Sequence, residues 1–490
     1  MIYNDAGRSP LPLFNEKVLV GLASGMDKSG QLAAPNMTLA TTVIRRFIAV
    51  ISSMGVKNIN AFATAAVREA TNGADFVREI KRKCGISINV LDGEEEARLA
   101  ALGVQSAIPE AIGLMGDLGG GSLELSALGK DKIGNFSSFP IGPLRLIDFS
   151  KNNREKANKL IRTKIKTADW LEDMAGQNFY AVGGSWRLLA RIHMERKGYQ
   201  PHIIHNYEID SRQGLELTSL LSKLSLKTLK RIPGVNTGRL NTLPYAAYIL
   251  RTIIRKTNVS RIIFSAHGIR EGVLFDQLSK NDQNKCPLIT GSRDTVQNVG
   301  WPNEEGKTLA AWIRPTLSSQ TKRLSALCET ACNLAHLGQL EHPDYRAEIV
   351  FLRILRMPLV GLNHGERAFI ATAVASRHTS KVHRFLNTHV SIRLSDQEIL
   401  QACIIGLGIR LFYMISGGSN CCATETRLTR RSGVLTLYLT KRAQNLLGPQ
   451  VEKRLASLAK KINCVARVRV ESKNRQTTAG VSIQKKNVTN

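Results

Sequence analysis

The sequence predicts an α/β protein of several domains, and three observations carry that prediction. The chain has 490 residues, too many for one hydrophobic core, and this length suggests about three or four domains. Up to about residue 280, apolar strands alternate with segments of helical periodicity and end in glycine turns, which is typical of α/β domains. Beyond residue 309 the pattern is mostly helical, and short strands return after residue 419.

The predicted domain boundaries follow these changes of pattern. They are an α/β domain at 1–108, a second α/β domain at 109–280, a polar linker at 281–308, a helical domain at 309–418, a small α+β module at 419–472 and a basic tail at 473–490. The linker is predicted because this stretch is rich in Asn, Asp, Lys, Gly and Pro. The tail is polar and basic, which is typical of disordered segments.

The first domain begins with a helix and then alternates. Apolar residues at helical spacing predict helices over Leu39–Met54, Ala74–Lys83 and Gly93–Gln105. Short apolar stretches between them predict strands over Ile59–Thr64 and Ile86–Leu91. This alternation predicts a sheet covered by helices.

The second domain repeats the pattern around glycine turns. Strands are predicted over Ile112–Leu118 and Leu123–Leu128, with three glycines between them, and over Phe179–Val182 and Arg261–Ser265. A long basic helix is predicted over Asn152–Met174.

The C-terminal module differs from the helical segment before it. Strands are predicted over Ala423–Arg430, Val434–Thr440 and Val465–Val470, with a helix over Pro449–Ile462.

The net charge of the chain indicates which kinds of molecule it binds. The 68 Lys and Arg residues outnumber the 39 Asp and Glu residues, which gives a formal net charge of +29. Such a field attracts polyanions and speeds their capture. The candidate partners are nucleic acid, inorganic polyphosphate, nucleotides or an anionic membrane. No nucleic-acid-binding module stands out and aromatic residues make up only 6% of the chain, so nucleic acid is not expected.

A cytoplasmic protein without a membrane partner is predicted. The longest apolar stretch, Ala402–Ile415, is interrupted by Arg410 and is too short to span a bilayer. The N-terminus lacks the apolar core of a signal peptide. The eight cysteines show no Cys-x-x-Cys spacing and are interpreted as reduced thiols.

The sharpest motif runs from Asp117 to Glu124 and reads Asp-Leu-Gly-Gly-Gly-Ser-Leu-Glu. A strand leads in and another leads out, so the pattern predicts a hairpin with a glycine tip. Consecutive glycines let backbone N–H groups approach an anion, and Ser122 adds a hydroxyl donor. Asp117 at the strand end is suited to a hydrated Mg²⁺ ion. The alternative is an ordinary hairpin turn, which needs neither acid.

A second motif, Asp92-Gly-Glu-Glu-Glu-Ala-Arg-Leu99, follows a strand and precedes this hairpin. A carboxylate placed there can serve as a general base on water. The alternative is a helix start, because Asp92 can cap a helix and glutamates suit the first turn.

Three weaker motifs also lie at strand ends. Thr64 and Arg68 carry a hydroxyl and a guanidinium that suit a phosphate oxyanion, although a surface salt bridge from Arg68 to Glu69 explains the pair equally well. A glycine pair, Gly183 and Gly184, opens a helix N-terminus where an anion can bind. The last is Gly-Ile-Arg-Glu-Gly, centred on Arg270.

Together these motifs resemble one family. Thr-x-Ala-x-Arg-x-Ala, Gly-x-Glu-Glu-Ala-Arg-Leu, Asp-x-Gly-Gly-Gly-Ser-x-Glu, Val-Gly-Gly and Gly-x-Arg-Glu-Gly follow in the order found in exopolyphosphatases and guanosine-pentaphosphate phosphatases. The resemblance implies two actin-like (ribonuclease-H-like) domains with the site between them, then a helical domain similar to metal-dependent His-Asp phosphohydrolases. It implies Mg²⁺-dependent hydrolysis of terminal phosphoanhydride bonds of inorganic polyphosphate, in the cytoplasm and within the stringent response. We also expect a homodimer.

The resemblance assigns roles to the motif residues. Glu96 is implied to be the general base. Asp117 and Glu124 are implied to belong to the magnesium and water network, and Glu124 is also a catalytic candidate. The candidate phosphate-binding residues are Thr64, Arg68, Gly119, Gly120, Gly121, Ser122, Gly183, Gly184 and Arg270.

The sequence departs from the family pattern at two places, and these departures leave alternative functions open. The first phosphate loop of the family, Asp-x-Gly-Ser-Asn-Ser, has no counterpart in the sequence, so we expect weak phosphatase activity from these 490 residues. The expected His-Asp pair of the helical domain reads His336-Leu337, which predicts that its histidines are structural. A guanosine pentaphosphate 5'-phosphohydrolase and a non-catalytic polyphosphate-binding protein are the alternative functions.

Overall fold

The computed structural model describes residues 1–130, 133–231, 237–297, 305–319, 321–417, 419 and 421–471. The predicted basic tail at 473–490 lies outside these residues. The chain divides into two compact units. The first unit comprises Met1–Thr295, Leu355–Ala368 and Asn387–Arg393, and the second comprises Val296–Ile354, Phe369–Leu386 and the chain from Leu394 onward.

The strands of the described residues fall into four sheets. They are β1 Ile2–Tyr3, β2 Pro12–Phe14, β3 Phe62–Ala63, β4 Asn89–Val90, β5 Gly113–Leu118, β6 Leu123–Leu128, β7 Ile133–Phe139, β8 Asn178–Val182, β9 Tyr207–Asp210, β10 Arg261–Phe264, β11 Thr426–Arg431, β12 Val434–Thr440 and β13 Val465–Glu471.

Helices connect and cover the strands. Through residue 297 they are α1 Met26–Ser29, α2 Ala34–Ser53, α3 Ala65–Glu69, α4 Gly73–Cys84, α5 Gly93–Ala107, α6 Pro143–Ser150, α7 Arg154–Lys166, α8 Gly184–Lys197, α9 Ser211–Lys223, α10 Leu226–Leu229, α11 Leu243–Thr257, α12 Ile269–Asp276, α13 Lys280–Gln283 and α14 Pro287–Gln297. The later helices are α15 Glu305–Ile313, α16 Lys322–Asn333, α17 Pro343–Arg356, α18 His364–Ser376, α19 His383–His389, α20 Asp396–Ser416, α21 Cys421–Glu425 and α22 Pro449–Lys461.

A six-stranded sheet organises the first unit, in the order β7-β6-β5-β8-β10-β9. β5 runs antiparallel to β6 and parallel to β8, and β8 runs parallel to β10. Because side chains alternate along a strand, Leu114 and Phe179 pack into one core while their neighbours Met115 and Tyr180 pack into another. Both faces of the central strands are therefore buried, as parallel strands with helices on each side require.

The N-terminal part of the first unit has two small sheets. β1 pairs with β2, and β3 pairs in parallel with β4. A local core forms around Met26, Leu32, Phe76 and Ile80, which lie in or beside α1 and α4. This core carries the segment between β3 and α5, which supplies two candidate site residues.

The second unit is helical and then α+β, in agreement with the sequence pattern. Its sheet has the order β11-β12-β13, with β12 antiparallel to β11 and parallel to β13. Of the described helices, α20 is long and apolar enough by length and composition to cross a membrane, with a mean hydropathy of 1.8 over 18 residues. In the structure 56% of that window is buried, and a core helix passes the same test.

Three expectations differ from the structure. The predicted linker contains α13 and α14 in its described part, because the buried residues Leu288, Ser292 and Val296 recur every fourth position and form one helical face. The basic helix predicted to Met174 ends at Lys166, and a separate 3₁₀ turn, Asp169–Met174, follows. The strand predicted from Ala423 begins at Thr426, because α21 precedes it.

Two strands of the six-stranded sheet, β7 and β9, were not predicted. β7 is mostly exposed and carries few apolar residues, and it is a strand because its backbone pairs with β6. β9 is likewise an edge strand, paired antiparallel with β10. Such pairing is a long-range property that a local pattern does not contain.

Candidate active site

The glycine hairpin forms as predicted and brings its two acids side by side. Asp117 on β5 is the direct cross-strand partner of Glu124 on β6. The tip is closed by a hydrogen bond from the Gly119 N–H to the Ser122 carbonyl, at 3.1 Å. Neighbours on the same face of an antiparallel pair lie close together, so the hairpin concentrates negative charge at the end of the central sheet.

The carbonyls of the loop are occupied by a neighbouring turn. The Gly142 and Leu144 amides donate to the Gly121 and Gly120 carbonyls, at 2.9 and 3.0 Å. A Cβ on Gly142 would lie 2.3 Å from the Gly120 oxygen, so only glycine permits this approach. Because the Gly120 and Gly121 carbonyls are hydrogen-bonded to the turn at 142–144, the N–H groups of the loop are the groups suited to bind an anion.

Glu96 lies on the buried side of the first turn of α5. Asp92 caps that helix by accepting a hydrogen bond from the Glu95 amide at 2.8 Å, so the capping interpretation of this motif holds for Asp92. Glu94 is exposed, whereas Glu96 is only 4% exposed. The helix therefore selects one of three consecutive glutamates for the interior.

Arg68 and Thr64 meet Glu96. Arg68 Nη1 lies 3.1 Å from Glu96 Oε2 and donates to the Leu91 carbonyl at 2.7 Å. The Thr64 side chain also acts on Glu96 and lowers the pKa of its carboxyl, against the effect of burial. The surface salt bridge from Arg68 to Glu69 is not formed, since Glu69 pairs with Arg145 instead.

Burial raises the pKa of all three carboxylates, and the charge of Glu96 adds to the rise at Asp117 and Glu124. Burial is the main cause that raises the pKa of Glu96, and its hydrogen bond with Arg68 opposes the rise. Burial, then the charge of Glu96, raises the pKa of Asp117 to about 7, against the opposing field of Arg187. The pKa of Glu124 is raised well above its ordinary range by burial and then by Glu96. Carboxylates with raised pKa values are typical of sites that transfer protons or bind cations.

The donor set fits a magnesium ion. Glu124 Oε1 accepts a hydrogen bond from Ser138 at 3.1 Å, whereas the buried Oε2 has no partner among the described residues. Within the same residues, no three His, Cys, Asp or Glu side chains are placed to hold one metal directly. Mg²⁺ usually takes one or two carboxylates and completes its shell with water and phosphate oxygens, which matches Asp117 and Glu124.

The glycine pair places a helix start beside the hairpin. Gly183 has φ +109°, and a Cβ on it would lie 2.4 Å from the Leu118 carbonyl oxygen. α8 begins at Gly184, directly after this contact. The positive end of a helix is thereby brought to the strand end that carries Asp117.

Arg270 and two residues that the sequence analysis did not single out, Arg187 and Ser138, complete the surroundings. Arg187 on α8 and Arg270 on α12 both act on the Asp117 carboxylate and oppose the rise in its pKa. Sequence reasoning missed Arg187 and Ser138. The first turn after Gly183-Gly184 was a usable signal for Arg187, whereas Ser138 reaches Glu124 only through the pairing of β6 with β7.

Two histidines of the second unit, His336 and His378, have surroundings unlike those of the carboxylate site. His336 is buried and its Nε2 lies 2.9 Å from the Tyr413 hydroxyl. Leu337 is 4% exposed, so the position of the expected aspartate is part of an apolar core. Burial, more than the neighbouring arginines, lowers the pKa of His378 to about 4. These contacts are those of packed side chains.

Comparisons with known proteins show similarity to exopolyphosphatases. A crystal structure of an exopolyphosphatase from Cytophaga hutchinsonii superposes with a TM-score of 0.50 at 25% identity, over 54% of this chain and 89% of that one. Exopolyphosphatase 1 of Mycobacterium leprae is 25% identical over 301 residues, which cover 59% of this chain and 88% of the relative. Exopolyphosphatase 1 of Mycobacterium tuberculosis is 25% identical over 312 residues, covering 60% and 89%.

Two family models account for most of the chain. The model for the C-terminal part of exopolyphosphatase matches residues 303–467, and the model of the Ppx/GppA phosphatase family matches residues 1–281. The predicted α/β class with actin-like domains is confirmed by this match and by the structural neighbours. The chain therefore belongs to the Ppx/GppA phosphatase family.

Proposed function

We propose that this protein is an exopolyphosphatase, which hydrolyses the terminal phosphoanhydride bond of inorganic polyphosphate and releases orthophosphate. The observation that carries the proposal is the convergence of Glu96, Asp117 and Glu124 on the glycine hairpin, with Arg68 in contact with Glu96. The names of the relatives from Mycobacterium and Cytophaga support polyphosphate as the substrate.

Glu96 is the proposed general base. Its raised pKa makes it a better proton acceptor than an ordinary surface glutamate, because a base works best when its pKa lies near the working pH. Arg68 and Thr64 orient the carboxylate and lie where a terminal phosphate needs positive charge and a hydroxyl donor. Water deprotonated by Glu96 attacks the end phosphorus in line with the leaving oxygen.

Charge on the transferred group is stabilised by the loop and its neighbours. Backbone N–H groups of residues 120–122 and the start of α8 donate toward the anion, whereas the Gly119 N–H closes the hairpin by donating to the Ser122 carbonyl. Asp117 and Glu124 are the residues that would hold Mg²⁺, and Mg²⁺ when bound neutralises phosphate charge. Without a cation, the unpartnered Glu124 Oε2 and the raised pKa of Asp117 leave this part of the site electrostatically unfavourable.

The test of this function is end-wise phosphate release. Purified protein should release orthophosphate from long-chain polyphosphate in the presence of Mg²⁺, with the remaining chains shortening gradually on a gel. Faster turnover of guanosine pentaphosphate would favour the alternative phosphohydrolase within the same family. Binding of polyphosphate without any release would identify a non-catalytic polyphosphate-binding protein. The homodimer and the cytoplasmic location stay predictions.

We expect polyphosphate binding to weaken steeply with salt. The formal net charge is +29, and each neutralised phosphate releases counterions, by analogy with DNA. Between about 50 and 200 mM salt, the loss of affinity for a long chain should exceed that for guanosine pentaphosphate by about tenfold or more. Fluorescence titrations at several salt concentrations measure both slopes. Equal slopes would show that the extra phosphates of the long chain contact no basic surface.

A further inference from the structure

The three-stranded sheet of the second unit has one covered face and one open face. β12 and β13 run parallel and are connected through α22, which packs against both strands. A parallel pair needs such a crossover, and the helix then covers one face of the sheet. The buried leucines of β11 and β12 share that face, because they occupy alternate positions in paired register: Leu428, Leu435, Leu437 and Leu439.

The open face consists of the side chains between these leucines and is basic, polar and aromatic. The strand register places Arg427, Tyr438 and Arg469 in one row across the three strands. Two positions further along each strand, the next row is Thr429, Thr436 and Arg467. Side chains in neighbouring rows of one face lie close enough for a single ligand to contact them together.

Positive charge is concentrated around this face. Residues 421–471 contain 11 Lys and Arg residues against 3 Asp and Glu residues. Glu471 is the only acidic residue of the three strands, and it pairs with Arg427. Arg431, Arg467 and Arg469 are exposed, and none of them has a carboxylate partner among the described residues. The open face is therefore complementary in charge to a polyanion.

An aromatic ring at the centre of the face narrows the class of polyanion. Tyr438 is partly exposed, and the Arg427 guanidinium carbon lies 3.9 Å from the centre of its ring. Nucleobases stack on aromatic rings and on guanidinium planes, so this pair offers a planar surface to a base. Inorganic polyphosphate and anionic membranes have no base to place there. The combination of ring and arginines favours a nucleic acid.

We propose that the open face of this sheet binds single-stranded RNA, with a base stacked at Tyr438 and phosphates on the arginines. A duplex keeps its bases inside, so only a single strand can place one on the ring. Thr429 is partly exposed in the adjacent row, and its hydroxyl can pair with the 2′-hydroxyl that distinguishes RNA from DNA. The composition did not indicate this surface, because the surface forms only when the three strands pair.

The first experiment reverses charge on the open face. The full 490-residue chain is titrated with a fluorescently labelled RNA of about 12 uridines, within the roughly 4–16 nucleotides that single-strand-binding folds occupy. The double variant Arg467→Glu, Arg469→Glu should weaken binding by about tenfold or more, because two attractive charges become repulsive. Lys453→Glu, Lys460→Glu is the matched control, since both lysines are exposed on α22. It makes the same change in net charge and should bind within about threefold of the parent, because distant charges are screened.

The second experiment separates stacking from charge. Tyr438→Leu removes the ring and keeps apolar bulk, so RNA affinity should fall by about fivefold or more. Polyphosphate with the same number of phosphates should bind this variant like the parent, because it cannot stack. Tyr438→Phe keeps the ring and should retain the parental affinity for RNA. Both experiments measure binding alone, so their result does not depend on the proposed phosphatase activity.

Several results would contradict the proposal. They are no RNA binding by the parent, an equal loss in the α22 control, and an equal loss of RNA and polyphosphate binding in Tyr438→Leu, which would indicate a surface that reads charge alone. Deoxyuridine DNA of the same length that bound as tightly as the RNA would also overturn the choice of RNA. A dimeric parent with a monomeric Arg467→Glu, Arg469→Glu variant would assign the face to contact between two copies of the chain instead.

Discussion

Replacing Glu96 by glutamine should reduce phosphate release from long-chain polyphosphate by about 10²–10⁴-fold, the usual contribution of a general base. The amide keeps the shape of the side chain and a hydrogen-bonding oxygen for Arg68, but it cannot take a proton at working pH. Substrate affinity should change little, because Arg68 and the loop amides remain. Steady-state phosphate release and an independent binding titration measure the two effects.

Glu94→Gln is the matched control for this experiment. Glu94 lies in the same helical turn and is exposed, so its replacement should leave the rate unchanged. A Glu96→Gln protein that retained more than about a tenth of the parental rate would remove Glu96 from the role of base. A large loss of binding would instead assign Glu96 to the positioning of phosphate through Arg68.

Replacing Asp117 by asparagine should stabilise the metal-free protein at alkaline pH while it abolishes activity. The pKa of Asp117 is raised in the folded protein to about 7, first by burial and then by Glu96, from its ordinary value of 3.8. The unfolded chain therefore releases this proton first, and stability falls as pH rises from about 4 through about 7. Asparagine removes that dependence, so the gain in free energy of unfolding near pH 8 is on the order of 2–4 kcal/mol.

The direction of the pH dependence decides whether the Asp117 carboxylate has a raised pKa in the folded protein. Denaturant unfolding in chelator at several pH values should show a stability gain for Asp117→Asn that shrinks as pH is lowered toward about 4. Asp148→Asn is the control, since Asp148 is exposed and lies outside the carboxylate cluster. A gain independent of pH, or a loss at alkaline pH, would show that the Asp117 carboxylate is not held at a raised pKa.

The local sequence pattern was sufficient to predict a structural element where all the residues that form the element lie in one short segment. The hairpin from Asp117 to Glu124 is bounded by two strands and turns on consecutive glycines, so its acids had to lie on neighbouring strands. The start of α5 was equally predictable, because Asp92 is a capping residue before an apolar helical face. The helix α14 within the predicted linker was missed for the opposite reason, since its polar composition concealed a single buried face.

The sequence by itself determined which residue types are available and the short motifs that hold them, because capping, glycine turns and strand periodicity act over a few residues. The tertiary structure decided which of three consecutive glutamates enters the interior, and it paired Arg68 with Glu96 instead of Glu69. It also decided that Arg187 and Ser138 reach the carboxylates. These outcomes depend on burial and on contacts between distant segments, and burial also raises the pKa values that make the cluster reactive.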